Sequence, residues 1–389
     1  MPILSHAFCP AELNVSPSRI HILSSPQAVR RAFLCSFAVI LSLAWSVSAQ
    51  QKSQATVVGK VLDDSTSTPL SNVNVYIANT TLGGSTDANG RFEIRNIPIG
   101  SYEIVASLLG YSVFSSRVVV KETGTKAIEI RLKPTNLEVS EVLISAPDPS
   151  EWRRQLQKFK DLFLGTTPFS KECTLTNGEV LDFEENDPIS FAASARTPLK
   201  IENSALGYHI EFVLKAFKVV NDVMTVEGLP RYTEMKPSNK TEAEHWKENR
   251  MHAYRGSLRH FLACLFKKEL TRSGFSAHEL GSLQLDQQVM SRKIVTEDEI
   301  LQVHSVNYKT VAFRGYLEVE YAGEVEAGFN LLRKPGTISQ ISWLALNTYT
   351  ITITERGLID ESFPTKTWGY WAWKRTADAL PLDFEPEQE

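Results

Sequence analysis

Two histidines and a glutamate near the middle of the chain have the spacing of zinc ligands. His245 and Glu248 form a His-x-x-Glu pair, and His252 follows two helical turns after His245, so the three can share one helix face. A catalytic zinc takes three protein ligands and keeps one position for water. Because no convincing general base accompanies the set, we interpret it as a charged, solvated helix face. The alternative is an uncharacterised zinc hydrolase.

A basic cluster lies in the same region and comprises His252, Arg255, Arg259 and His260. At helical spacing the first three fall together, opposite an apolar stripe formed by Leu258, Phe261, Leu262 and Leu265. An arginine guanidinium can hold a carboxylate or phosphate through two parallel hydrogen bonds. The cluster therefore suggests a recognition site for an anionic group. The alternative is that Arg259 forms a salt bridge to an acid of its own domain and fixes the helix.

Four aromatic residues near the C-terminus could stack on sugar rings: Trp368, Tyr370, Trp371 and Trp373. In a strand, Trp371 and Trp373 would lie on one side. Such a platform would make the protein a carbohydrate-binding accessory. The alternative is core or lid packing, because large aromatic side chains dominate small cores.

Other catalytic patterns are missing from the sequence. It contains no Ser-centred nucleophile elbow, phosphate loop or dinucleotide fingerprint. Cys173 has no obvious His or Asn partner, and the apolar neighbours of Cys264 favour a buried free thiol over pairing of the two cysteines. We therefore predict a protein with no catalytic residues, no metal site and no cofactor.

Composition limits the class of partner. The chain has 389 residues with 42% hydrophobic and 22% charged side chains, which is enough for two domains with real cores. Its net charge of −4 gives no basic field for nucleic acid. We expect an envelope protein or a glycan as the partner.

The first 49 residues read as a secretory signal peptide. Arg30 and Arg31 form a positive region, residues 32–47 supply an apolar run, and Val47-Ser48-Ala49 offers small residues for cleavage after Ala49. An uncleaved anchor is the alternative, although the run is shorter than the roughly 20 residues of a membrane span. The long segment before Arg30 fits a start codon placed too far upstream. We expect export to the periplasm, the outer membrane or the cell surface.

Residues 50–134 show the alternation and turn spacing of an antiparallel β-sandwich. Seven strands are predicted: Thr56–Leu62, Asn72–Ala78, a short piece near Gly84–Thr86, Arg91–Ile97, Ser101–Ser107, Val113–Lys121 and Lys126–Leu132. Between the third and fourth, Asp87 and Asn89 can cap a tight turn in which Gly90 takes a positive φ.

The remainder is predicted as a linker, residues 135–149, and an α+β domain, residues 150–389. The domain is expected to have a mostly antiparallel sheet with two or three helices. One helix opens at Ser150, and a second helical stretch runs from a capping box at Thr241 to about Leu270, with Gly256-Ser257 ending one helix and capping the next. Strands are predicted at Tyr208–Ala216, Tyr316–Tyr321 and Asn347–Thr354.

Several motifs of residues 55–134 occur in order in a known family. They are Val58-Gly59-Lys60-Val61, Pro69 to Val75, Thr86 to Phe92, Ile97 to Tyr102 and Gly110-Tyr111. On these residues the segment resembles the carboxypeptidase-regulatory-like domain, a transthyretin-like sandwich of envelope proteins from Bacteroidetes-type bacteria. The resemblance implies a fold rather than a function, because this domain occurs beside transporters, peptidases and uncharacterised partners alike.

The C-terminal part is similar to regions found beside this domain in the same bacterial group. The similarity rests on Asn203 to Tyr208, Tyr254 to Leu262, Gly369 to Trp373 and Leu380 to Asp383. That group implies no activity. We therefore expect a non-enzymatic exported envelope protein, in which the sandwich is a docking or spacer unit and the C-terminal domain binds a partner.

Overall fold

The computed structural model describes residues 54–135, 149–281, 292–303, 305–323, 340–360 and 365–387. The predicted signal peptide, and residues 136–148 of the predicted linker, lie outside these ranges. Residues Ser53–Glu389 form one compact unit. Within the described ranges, no helix combines the length and the apolar character needed to cross a membrane.

Seven strands form the N-terminal sandwich, which confirms the prediction. They are β1 (Gln54–Asp63), β2 (Asn74–Ile77), β3 (Gly83–Ser85), β4 (Arg91–Pro98), β5 (Gly100–Ser107), β6 (Phe114–Val120) and β7 (Gly124–Leu132). One sheet has the order β4-β1-β7 and the other β3-β2-β5-β6. Alternate side chains of both sheets, such as Val57, Val75 and Ile104, fill the core between them.

One strand pair departs from the predicted antiparallel pattern. β1 and β7 run parallel along Ala55–Asp63 and Gly124–Leu132. This occurs because β7 follows β6, an edge strand of the opposite sheet, and crosses over to lie beside β1. A hairpin could not make this connection, because hairpins join only antiparallel strands.

The turn between β3 and β4 has the chemistry that its sequence predicts. The Asp87 carboxylate accepts hydrogen bonds of 2.8 Å from the backbone N–H groups of Asn89 and Arg91. Gly90 has a φ of +71°, and a Cβ there would lie 2.6 Å from the carbonyl oxygen of Val61. Only glycine combines this φ with such close backbone approach.

The C-terminal region is α+β, as predicted. Its longer helices are α1 (Pro149–Phe163), α2 (Lys240–Tyr254) and α3 (Leu258–Lys267), and its short ones are α4 (Glu297–Ile300) and α5 (Tyr370–Trp373). Its strands are β8 (Cys173–Leu175), β9 (Leu181–Asp187), β10 (Ser190–Ala195), β11 (Leu199–Asn203), β12 (Tyr208–Val220), β13 (Val223–Glu234), β14 (Phe275–Leu280), β15 (Arg292–Ile294), β16 (Leu301–Val303), β17 (Tyr308–Ala312), β18 (Tyr316–Tyr321), β19 (Gln340–Leu346), β20 (Thr350–Thr354) and β21 (Thr365–Gly369).

These strands form three antiparallel sheets around two cores. A six-stranded sheet has the order β8-β11-β12-β10-β9 with β13 beside β12, and α1 packs on it through Phe159 and Phe163. A five-stranded sheet, β15-β14-β18-β19-β21, and a three-stranded sheet, β16-β17-β20, share a core with α3 and α5. The predicted strand at Asn347 begins only at Thr350, and Tyr349 is 87% exposed in the preceding turn instead of facing inward.

The helical stretch after Asn239 is two helices, and the cap between them confirms the prediction. Gly256 takes a φ of +68°, and the Ser257 side chain accepts a hydrogen bond of 3.1 Å from the His260 N–H. The cap of α2 differs from the prediction, because Asn239 rather than Thr241 accepts from the Glu242 N–H. Asn239 is equally suited to this role, since its short side chain reaches the third helical N–H.

The outer face of the sandwich docks on the β12–β13 hairpin. Tyr76 of β2, Ala78 just after it and Val105 of β5 pack against Leu229 in a small separate core. The Tyr76 hydroxyl donates a hydrogen bond of 3.0 Å to the Leu229 carbonyl. Thr80 forms an isolated parallel bridge with Arg231. The sandwich is therefore fixed to the C-terminal region through both apolar and backbone contacts.

Candidate functional site

The basic cluster predicted from the sequence lies at the α2–α3 junction, where the break at Gly256 separates its members. His252 is in the last turn of α2 and packs edge-on against Phe169. Arg255 is the C-cap of α2 and is half-buried. His260 lies in the first turn of α3, where its Nδ1 accepts a hydrogen bond of 3.1 Å from the Gly256 N–H.

Arg259 is directed at the C-terminal tail of the chain, residues 376–387. Its guanidinium donates hydrogen bonds to three carbonyl oxygens of the tail, at 2.9 Å to Pro381 O, 3.1 Å to Leu382 O and 2.6 Å to Phe384 O. A fourth bond of 3.3 Å reaches Arg356 O. Burial, together with the nearby charge of Arg356, lowers the pKa of Arg259 to about 10. In this arrangement the guanidinium serves as a cationic clamp for backbone carbonyls.

The clamped tail continues to the sandwich. The Leu382 N–H donates a hydrogen bond of 2.7 Å to Asn79 O. The Asp383 carboxylate accepts one of 2.9 Å from the Thr81 N–H and a second from the Thr81 hydroxyl. The sequence motif Leu380–Asp383 is therefore the segment that links Arg259 of α3 with the β2–β3 turn of the sandwich.

The four C-terminal aromatics do not form one surface. Tyr370 and Trp371 are buried, and the Trp371 Nε1–H donates a hydrogen bond of 2.7 Å to Gly256 O. Trp373 donates to the Thr166 hydroxyl, and Trp368 packs on Tyr316 with ring centroids 5.5 Å apart. The expected strand placement of Trp371 and Trp373 is wrong, because residues 370–373 form α5. Gly369, at φ +70°, ends β21 and starts that helical turn.

The His245 set and the two thiols are also placed by the structure. His245 hydrogen-bonds Asn249 on the exposed side of α2, at 3.1 Å. Cys173 and Cys264 are free and buried in separate cores, as favoured by the sequence for Cys264. Burial raises the pKa of Cys173 to about 12, so its reactive thiolate form is suppressed at neutral pH.

A polar cluster that sequence reasoning missed lies on β14 and β18. His278 pairs in register with Glu318, and Glu320 is two residues further along the same strand face. One potential ligand atom from each side chain lies within 4.8 Å of the others. The alternation of Glu318 and Glu320 was visible in the sequence, but only strand pairing brings His278 beside them.

Arg292 and Trp343 complete this cluster. Arg292 donates a hydrogen bond of 2.8 Å to Glu318 Oε1 and also contacts Glu320. The Trp343 Nε1–H donates one of 3.0 Å to Glu318 Oε2. Burial and the charge of Arg292 lower the pKa of His278. The cluster thus collects two carboxylates and an imidazole beside one partly exposed cation.

A cleft with a volume of about 390 Å³ separates the sandwich from the six-stranded sheet. The sandwich supplies Asn74, Leu108 and Leu109 to its walls, and the C-terminal region supplies Pro198, Lys200 and Glu211. Asn74 Nδ2 lies 3.5 Å from Glu211 Oε2 across the cleft, and Leu109 is 92% exposed at its rim. Because both regions form the walls, the cleft exists only while the sandwich is docked.

Comparison with known proteins confirms the resemblance of the N-terminal region. Residues 57–144 match the family model of the CarboxypepD_reg-like domain. A search of curated proteins finds no match.

Solved structures are similar over about a fifth of this chain. A type II cohesin–X-dockerin complex from Acetivibrio cellulolyticus is 28% identical over 20% of this chain and 56% of its own, with a TM-score of 0.18. A minor pilin of Streptococcus agalactiae is 16% identical over 22% of this chain and 46% of its own, with a TM-score of 0.19. The 5-hydroxyisourate hydrolase of Klebsiella pneumoniae is 22% identical over 21% of this chain and 92% of its own, with a TM-score of 0.19. This chain thus spans just over half the length of the first of these, and the match carries no functional argument.

Proposed function

We propose that this chain is a non-enzymatic, exported cell-envelope protein whose docked sandwich and C-terminal region together bind a partner protein. The observation that carries the proposal is the composite cleft, since neither region forms it alone. A polar floor at Asn74 and Glu211, with the exposed Leu109 at the rim, suits a peptide segment that offers hydrogen bonds and one apolar side chain.

The docking contacts explain the role that we assign to the sandwich. The Tyr76 hydrogen bond, the Thr80–Arg231 bridge and the clamped tail hold it against the C-terminal region. A Lys215–Glu103 ion pair of 3.0 Å adds a further link. The sandwich is therefore proposed to be a docking unit within the chain, rather than a spacer on a loose tether.

The residues that suggested chemistry have structural contacts instead. Arg259 donates hydrogen bonds to backbone carbonyls, and Trp371 is buried against the α2–α3 junction. Burial of Cys173 disfavours ionisation of its thiol to the reactive thiolate by raising its pKa. These contacts support a binding protein rather than an enzyme. They also weaken the zinc-hydrolase alternative, because His245 hydrogen-bonds to Asn249 on its own helix.

The test is site-specific photo-crosslinking in cells that express the full chain. A photoreactive residue at position 109 is expected to give one discrete protein adduct. The control is Val223, an apolar residue that is also exposed but lies at the start of β13. Equal adducts at both positions, or none at 109, would refute a partner site at the cleft. Sequencing of the N-terminus tests export, with Gln50 expected as the first residue of the mature chain.

A carbohydrate-binding accessory role is the competing proposal. Trp368 and Trp373 remain partly exposed, whereas Tyr370 and Trp371 do not. If soluble cell-wall glycans quench tryptophan fluorescence saturably, and Trp368→Ala removes the effect, the glycan role replaces the partner-protein role. We expect no such quenching.

A further inference from the structure

The His278 imidazole is an unsatisfied group inside an otherwise paired cluster. The residue is only 7% exposed, and its buried Nδ1 has no hydrogen-bond partner among the described residues. Burying a polar nitrogen without a partner costs about 1–3 kcal/mol. The two carboxylates beside it accept hydrogen bonds from Arg292, and Glu318 also accepts one from Trp343, whereas neither forms a hydrogen bond with this nitrogen.

We propose that His278, Glu318 and Glu320 form a zinc site, in which Arg292 holds the two carboxylates when no metal is bound. Zn²⁺ binds both imidazole nitrogens and carboxylate oxygens in proteins, and three protein ligands leave its fourth position for water. Tetrahedral bonds of about 2.0–2.1 Å require ligand atoms about 3.3 Å apart. Because the present atoms lie within 4.8 Å of one another, side-chain movements of about 1.5 Å suffice.

The surroundings meet two further requirements of a metal site. The Trp343 Nε1–H hydrogen-bonds Glu318 and so fixes the orientation of its carboxylate, as outer-shell hydrogen bonds do for metal-ligating carboxylates. Arg292 lies on β15, a three-residue edge strand whose residues are all exposed, and its side chain is 43% exposed. It can therefore turn into solvent without opening the core, and Zn²⁺ would replace one positive charge by two beside the carboxylates. This inference does not depend on the partner proposed for the cleft.

The test is titration of the full purified chain with zinc chloride in competition with a chromophoric chelator. We expect one bound Zn²⁺ per chain. In His278→Ala and in Glu320→Gln the Kd should weaken by more than the roughly 10–100-fold that is typical for loss of an outer-shell partner, because each substitution changes a proposed ligand itself. Glu320→Gln is the variant that guards against misfolding, because its side chain is only partly buried. The matched control His245→Ala should bind like the unaltered chain.

Arg292→Ala supplies the sharpest outcome. Removal of the competing cation should tighten zinc binding, whereas loss of a merely structural arginine would leave binding unchanged or weaken it. The proposal is overturned if the unaltered chain binds no stoichiometric zinc, if His245→Ala loses as much affinity as Glu320→Gln, or if Arg292→Ala does not bind zinc more tightly. Unfolding curves of each variant separate lost affinity from lost fold.

Discussion

Replacement of Arg259 by alanine tests whether this residue is a structural clamp or a recognition site. The variant loses four hydrogen bonds from a charged, partly buried donor to backbone carbonyls. Hydrogen bonds to charged groups each contribute about 1.5–3 kcal/mol. Arg356 also donates to Leu382 O and Phe384 O, at 3.1 and 3.2 Å, so those two carbonyls keep a partner.

Pro381 O also keeps a partner, because the Phe384 N–H donates a hydrogen bond of 3.0 Å to it. The expected loss is therefore close to that of the charged hydrogen bond to Arg356 O. We expect a decrease of about 2 kcal/mol in the free energy of unfolding, roughly thirtyfold in the folding equilibrium. The assay is urea unfolding followed by circular dichroism. Limited proteolysis with trypsin supplies a local readout, because release of the tail should expose the bond after Arg375, which is now half-buried.

The matched control is Arg95→Ala. Arg95 pairs with Glu93, but its side chain is 70% exposed, so its loss should leave the free energy of unfolding almost unchanged. The clamp is refuted if Arg259→Ala unfolds at the urea concentration of the unaltered chain and its tail stays protected. If stability is retained while partner binding is lost, the recognition of an anionic group proposed from the sequence is the better account.

Three further predictions concern acid stability, thiol reactivity and docking. Two basic side chains of α1 hydrogen-bond Glu185 and lower its pKa to about 2. The stability that Glu185 contributes is therefore present above about pH 4.5 and is lost as the pH falls toward 2. In Glu185→Gln the melting temperature should depend less on pH over that interval, and a profile equal to that of the unaltered chain would contradict this. Burial raises the pKa of Cys173 to about 12 and also raises the pKa of Cys264. Neither thiol should therefore react with iodoacetamide at pH 8 until urea unfolds the chain, and rapid labelling of the native protein would disprove their burial. Tyr76→Phe removes the hydroxyl that donates to the Leu229 carbonyl and should cost about 1 kcal/mol in urea unfolding, whereas stability equal to that of the unaltered chain would show that this hydrogen bond adds nothing to docking.

Local patterns predicted the elements of the sandwich. The alternation in Arg91–Pro98 and the Asp87–Gly90 turn both act between near neighbours in the chain, so the order of residues reports them directly. The Gly256-Ser257 junction was predicted for the same reason, because a helix cap involves only the next three residues. The parallel pairing of β1 with β7 was not predicted, since the alternation of a strand does not encode which neighbour it pairs with.

The candidate sites depended on contacts between distant residues. His278 and Glu318 are 40 positions apart and meet only because β14 and β18 pair, and Arg259 reaches a tail more than 120 residues further along the chain. Spacing along one helix suggested that Arg259 binds an external anion. In the structure, the cost of desolvating its charge is instead offset by hydrogen bonds to backbone carbonyls, which come close to Arg259 only in the tertiary fold. The sequence by itself thus determined the strands, turns and caps, which rest on local sterics and hydrogen bonds. Which side chains share a site was decided by the tertiary structure, because strand pairing and tail docking bring together groups that no sequence spacing relates.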